Sequence, residues 1–132
     1  MIKFISLFIA VCIGLPALSQ PADSAKGKEV IYGVASFYSI KFEGIKTATG
    51  EIFTNKKFTA ASNHFKLNTW LRVTNLSNGK SVIIRVNDRM HPRMAKKGRV
   101  VDLTRTAASK LGFLSRGLTR VKVEKVPKGT VD

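Results

Sequence analysis

Cysteine is almost absent from this sequence: Cys12 is the only one in 132 residues. It lies within an apolar run near the N-terminus, so removal of that run leaves a chain without a thiol. A disulfide framework, a catalytic thiol and a cysteine-based zinc site are then all excluded. Acid is scarce as well, with eight Asp and Glu against 23 Lys and Arg and a formal charge of +15. The two histidines, His64 and His91, have no metal-ligand spacing, and neither a metal nor a cofactor is expected. Long hydrophobic runs are missing too. Phe4 to Leu15 falls well short of the roughly eighteen apolar residues that cross a bilayer, so no transmembrane span is expected.

A charged start, a short apolar stretch broken by Pro16, and the small residues of Ala17-Leu18-Ser19 make residues 1–19 a secretory signal peptide cut before Gln20. Lipid anchoring through Cys12 is the less favoured alternative, because Val11 stands where a lipobox has Gly, Ala or Ser. The protein is therefore expected to be exported, to the periplasm or cell envelope. Residues 20–29 are polar and aperiodic and read as a linker, leaving residues 30–127 as one domain. Between Val30 and Val126, 19 Lys and Arg face five acids, a field that attracts polyanions. Export points that field at anionic wall polymers, lipid headgroups and the carboxylates of peptidoglycan. No nucleic acid is expected, since the interleaved aromatics that stack on bases are missing.

Strand signals are short and closely spaced: Val30 to Tyr38, Phe58 to Ala61, Trp70 to Asn75, Ser81 to Val86 and Leu118 to Val126. Asn78-Gly79 between two alternating runs predicts a hairpin. One helix is expected, capped by Thr104, carrying the apolar stripe Ala107, Ala108 and Leu111, and ended by Gly112. Without regular helix–strand alternation, a small closed barrel is the economical architecture.

Five acids fall inside the domain: Glu43, Glu51, Asp88, Asp102 and Glu124. Asp88 ends the apolar run Val82 to Val86, where a strand opens into a loop and sites are usually built. A carboxyl there can serve as a general acid, or it can be a structural partner of Arg89. Glu51 follows the small-residue loop Thr47-Ala48-Thr49-Gly50, a weak signal alone. Asp102 is read as complementing a helix start, and Glu124 as a solvated strand residue. The stretch from His91 to Arg99 reads as a basic loop.

Gly33-Val34-Ala35-Ser36-Phe37-Tyr38, Thr47-Ala48-Thr49-Gly50-Glu51, Phe58-Thr59-Ala60-Ala61, Val73 to Gly79, Val86-Asn87-Asp88-Arg89 and Val101-Asp102-Leu103-Thr104, in this order and spacing, resemble the rare lipoprotein A family. The resemblance implies a mainly β fold, a six-stranded double-psi β-barrel with one or two short helices. It also implies an endolytic lytic transglycosylase that cuts the bond between N-acetylmuramic acid and N-acetylglucosamine and closes a 1,6-anhydro ring. Asp88 then matches the family's catalytic aspartate and Glu51 its second active-site carboxylate. Ser62, Asn87, Arg89 and His91 are expected to orient the sugar. Ser62 departs from the family pattern, which often has a histidine there, and His91 is the imidazole left to replace it. The competing expectation is an expansin-like module that grips glycan without cutting it.

Overall fold

The computed structural model describes residues 29–132. The expectations for the signal peptide, its cleavage site and Cys12, and for nearly all of the linker, lie outside the described residues. Six strands close into a barrel: β1 (Val30–Phe37), β2 (Thr59–Ala61), β3 (Trp70–Asn75), β4 (Ser81–Asp88), β5 (Arg99–Leu103) and β6 (Thr119–Val126), ordered β1-β5-β2-β4-β3-β6. The pairs β1–β5 and β2–β4 are parallel and the other four antiparallel. This is the six-stranded double-psi barrel expected above.

Alternation explains the long strands. Along β3, Leu71, Val73 and Asn75 are buried between partly exposed neighbours, and along β6 Thr119, Val121 and Val123 are buried in the same rhythm. Closure leaves little exposed edge for another chain to pair with. The barrel is filled by Leu71, Val73, Ile84, Leu103, Val121 and others, each almost fully buried and each contributing about 1.5–3 kcal/mol through burial. Asn75 is the polar exception. Its amide donates to the Leu111 carbonyl and accepts from Ser77 and Thr119, tying the β3–β4 turn to helix and barrel.

Two elements differ from expectation. The sixth strand is β5, and the basic stretch after His91 is not all loop, because Pro92–Lys96 form a short helix, α1. The expected helix is α2 (Arg105–Leu111), with Thr104 accepting from the Ala107 N–H and Gly112 closing it at φ +78°. Its first turn holds no acid, and the Asp102 side chain is engaged elsewhere.

Candidate functional site

Two irregularities build the site. In β4 the register runs Ala60↔Val86 and then Ala61↔Asp88, so Asn87 is an extra residue. In β5 it runs Val34↔Arg99 and then Ala35↔Val101, so Val100 is extra. A bulge reverses the inward–outward alternation beyond it. Val86 and Asn87 are consecutive buried residues, as are Val100 and Val101, and the bulges return Asp88 and Asp102 to the outer face. Gly33 makes room for the second bulge: a Cβ there would lie 2.5 Å from Val100 Cγ1 and 2.9 Å from the Gly98 carbonyl oxygen.

Asp88 and Asp102 line the same cleft, of about 610 Å³, with Tyr38, Ala61, His91 and Arg99 among its walls. Asp88 Oδ1 accepts from the backbone N–H groups of Ala48 (3.0 Å) and Arg89 (2.9 Å), and Oδ2 accepts from the Tyr38 phenol at 2.6 Å. A carboxylate offers about four lone-pair positions, so one remains on Oδ2. No Lys or Arg pairs with Asp88 among the described residues. Arg89 in particular turns away, its guanidinium donating to the carbonyls of Ser62 (2.5 Å) and Phe65 (2.6 Å). The Arg89-paired structural role for Asp88 is thus not what the structure contains.

Tyr38 was not singled out as a site residue by the sequence. Its ring stacks on Phe53 (4.2 Å between centroids) and meets Phe42 edge-on. Burial, then the hydrogen bond to Asp88 and the charges of Asp88 and Asp102, push the phenol far above its ordinary range. It therefore stays a donor to Asp88 at any working pH. Asp102 is held by Ser36 (2.8 Å) and by the Arg99 guanidinium (3.0 and 3.1 Å). It is a fixed, compensated charge in the wall.

Glu51 is absent from the cleft lining. Its two oxygens take a bidentate pair from Arg85 (2.8 and 2.9 Å) and one a hydrogen bond from Thr49 (2.8 Å). The Arg85 hydrogen bond, opposed by partial burial and helped by Thr49 and Asn87, lowers Glu51 to about 2. It is ionised at neutral pH and has no proton to give. Its loop nevertheless reaches the cleft, since Thr49 donates to the Asn87 carbonyl and Ala48 to Asp88.

The remaining expected residues divide. His91 lines the cleft, and its Nδ1 accepts from the Arg93 N–H at 3.0 Å as the N-cap of α1, leaving Nε2 as the free nitrogen, protonated in the neutral ring. Ser62 is fully buried, its hydroxyl donating to the Val100 carbonyl at 2.8 Å, and it does not line the cleft. Asn87 is buried as the bulged residue, with Oδ1 unpartnered among the described residues. Among those residues there is no cluster of three or more His, Cys, Asp or Glu fit for a metal ion. No helix there is long and apolar enough to cross a membrane.

Curated relatives share the sequence at moderate identity. The "Endolytic peptidoglycan transglycosylase RlpA" of Haemophilus influenzae is 45% identical over 92 residues, covering 70% of this chain and 31% of that protein. The protein of the same name from Pseudomonas aeruginosa is 46% identical over 104 residues, 79% of this chain and 29% of that one. The chain thus spans about a third of the length of these relatives. Among solved structures, an expansin of Clavibacter michiganensis superimposes with a TM-score of 0.59 at 20% identity, covering 77% of this chain and 52% of that one. A Streptomyces papain inhibitor does so at 0.61 and 19%, covering 75% and 96%. Such distant likeness speaks for the barrel alone. Residues 30–123, from the first strand into the last and with Asp88 and Asp102 between them, match the family described as "Lytic transglycolase", and the chain belongs to that family.

Proposed function

We propose that this protein is an endolytic lytic transglycosylase of peptidoglycan, exported to the cell envelope, with Asp88 as its acid and base. The observation that carries the reading is the setting of Asp88: a carboxyl on the cleft surface, fixed by Tyr38, Ala48 and Arg89 donors, with no cation to pair it and one position of Oδ2 open. The relatives' printed names supply the substrate class.

In this mechanism the proton rides on Oδ2. It passes to the glycosidic oxygen as the bond from C1 of the muramic residue breaks. The C6 hydroxyl of that residue then closes on C1 and returns its proton to Asp88, so the enzyme is restored and no water is consumed. This differs from hydrolysis, where a second carboxylate activates water or forms a covalent intermediate. Tyr38 orients Asp88 and stabilises its charged form after transfer. Asp102 and Arg99 shape the opposite wall, and His91 offers Nε2 to sugar oxygens. Glu51 acts as a fixed charge that anchors the Ala48 loop against Asp88, while Ser62, Asn87 and Arg89 hold the backbone behind it.

The non-cutting, expansin-like reading draws on Ser62, whose buried hydroxyl presents nothing to the cleft, in a position where the family pattern often has a histidine. Mass spectrometry of purified sacculi after incubation separates the two. Anhydro-muropeptides are expected. Reducing-end products would mean a hydrolase, and binding without any product would mean a wall-binding module.

A further inference from the structure

The outer face of β4 does not end at Asp88. Its outward residues are Ser81, Ile83 and Arg85, and the Asn87 bulge adds Asp88 to that side. On a solvated barrel face, polar side chains are expected. Ile83 breaks that pattern, and so does Trp70, the chain's only tryptophan, which is the register partner of Arg85 on β3. Phe58, just before β2, is 44% exposed beside them. Trp70, Ile83 and Phe58 line two confluent hollows of about 240 and 260 Å³. An aromatic-lined hollow on a surface is a recognition feature.

The surrounding donors define what fits. Lys57 and Arg85 border one hollow, and Lys110 and Asp132 the other; Arg85 is paired with Glu51, and Lys110 Nζ lies 3.6 Å from Asp132 and 5.7 Å from the Phe58 ring centroid. Aromatic faces that meet C–H groups, beside a Lys57 ammonium with no carboxylate partner among the described residues that can meet hydroxyl, amide and carboxylate oxygens, match a polysaccharide that carries some negative charge. A dry protein interface, by contrast, depletes lysine.

We infer that Phe58, Trp70 and Ile83, with Lys57 beside them, form a second glycan subsite, which seats a distal stretch of the same strand that Asp88 cuts. The inference rests on the proposed function and extends it. Continuity supports it: the Ala48–Glu51 loop donates to Asp88 at one end and grips Arg85 at the other. At about 3.3 Å per residue, Ile83 and Asp88 are separated by about 16 Å along the strand, the length of several sugar rings. A disaccharide at Asp88 cannot reach both places whereas a longer strand can, which makes the subsite a device for holding extended glycan.

The test uses the full chain carrying Asp88→Asn, so that binding is read without cleavage. Its affinity is measured for long peptide-free glycan strands and for a disaccharide of the same repeat. Adding Trp70→Ala should weaken long-strand binding about ten-fold and disaccharide binding less than two-fold, with Phe58→Ala acting in the same direction and Trp70→Phe retaining most of the affinity. Unchanged long-strand binding in both alanine variants, equal loss on both ligands, or a Trp70-dependent dimer with intact glycan binding would each overturn the subsite. Failure of the catalytic reading looks different: wild type then yields no anhydro product, whatever these affinities are.

Discussion

Asp88 and Asp102 flank the same residue, Ala61, from opposite neighbouring strands, and each follows a bulge. With strands about 4.8 Å apart, this places their backbones about 10 Å from each other across one cleft. They are not equivalent. Asp102 is bound by a guanidinium and a hydroxyl, whereas Asp88 has donors but no cation.

Asp102→Asn should therefore act mainly on stability. It leaves Arg99 without its charge partner in the wall, and the expected cost is about 1–3 kcal/mol. Denaturant midpoints should fall while turnover per folded molecule drops less than in the Asp88 variant. A loss of turnover as large as that of Asp88→Asn at full stability would make Asp102 a proton carrier as well.

Tyr38→Phe removes one donor from Asp88 but keeps the ring stacked on Phe53. The fold should lose only about 1 kcal/mol. Because the lost hydrogen bond matters most when Asp88 becomes charged, kcat should fall about ten-fold with KM little changed. Steady-state kinetics on sacculi or long strands reads the split, and an equal rise in KM would instead place Tyr38 against the sugar.

Much of this arrangement was legible in the residues, and each part that was not has its own physical reason. The β3–β4 hairpin and β6 alternate cleanly, so their buried faces could be read directly. β5 was missed because the Val100 bulge sets two buried valines side by side and destroys the period of two. The same irregularity at Asn87 hides the direction of Asp88, although its place at a strand end was visible. α1 is only five residues long and has no buried face. Tyr38 could not be paired with Asp88 from sequence, because fifty residues separate them and only barrel closure brings them together. Ser62 stands where the family pattern it resembles often has a histidine, yet its small hydroxyl donates to the Val100 carbonyl inside the wall.

The Glu51–Arg85 pair predicts an acid-sensitive contribution to stability. Glu51 is lowered from its ordinary 4.5 to about 2 in the folded protein. The unfolded state thus takes up the proton first, so the contribution is complete above about pH 4.5 and is lost as pH falls through about 2. The pair is partly exposed, which limits its worth to about 1 kcal/mol or less. Urea midpoints of wild type and Glu51→Gln should differ at pH 6 and converge near pH 2. A constant difference across that range would mean that Glu51 acts through packing rather than charge.

Retention on sacculi should fall with salt. Nineteen Lys and Arg against five acids between Val30 and Val126 give the domain a strong positive field. From 0.1 M to 1 M salt the screening length drops from about 10 Å to about 3 Å, which weakens exposed contacts far more than buried ones. Pelleting with sacculi at the two concentrations checks this, and identical retention would assign binding to the cleft and aromatic contacts alone.

Asp88→Asn is the decisive substitution, because it removes the transferable proton and little else. The asparagine carbonyl can still accept from Ala48 and Arg89, and its amide can donate to the Tyr38 oxygen, so all three fixed contacts have a counterpart in the variant. No ion pair is lost, since no cation pairs with Asp88 among the described residues. Stability and glycan binding should stay close to wild type. Formation of anhydro-muropeptides should fall by about 10²- to 10⁴-fold, the usual worth of a positioned acid or base, or by more because the proposed mechanism uses Asp88 in both steps. Product yield is to be measured beside a melting curve and a sacculus pelleting assay on the same preparation. A folded, binding-competent Asp88→Asn protein that still forms anhydro product at near wild-type rate would remove Asp88 from the chemistry and leave the cleft as a place where glycan is held.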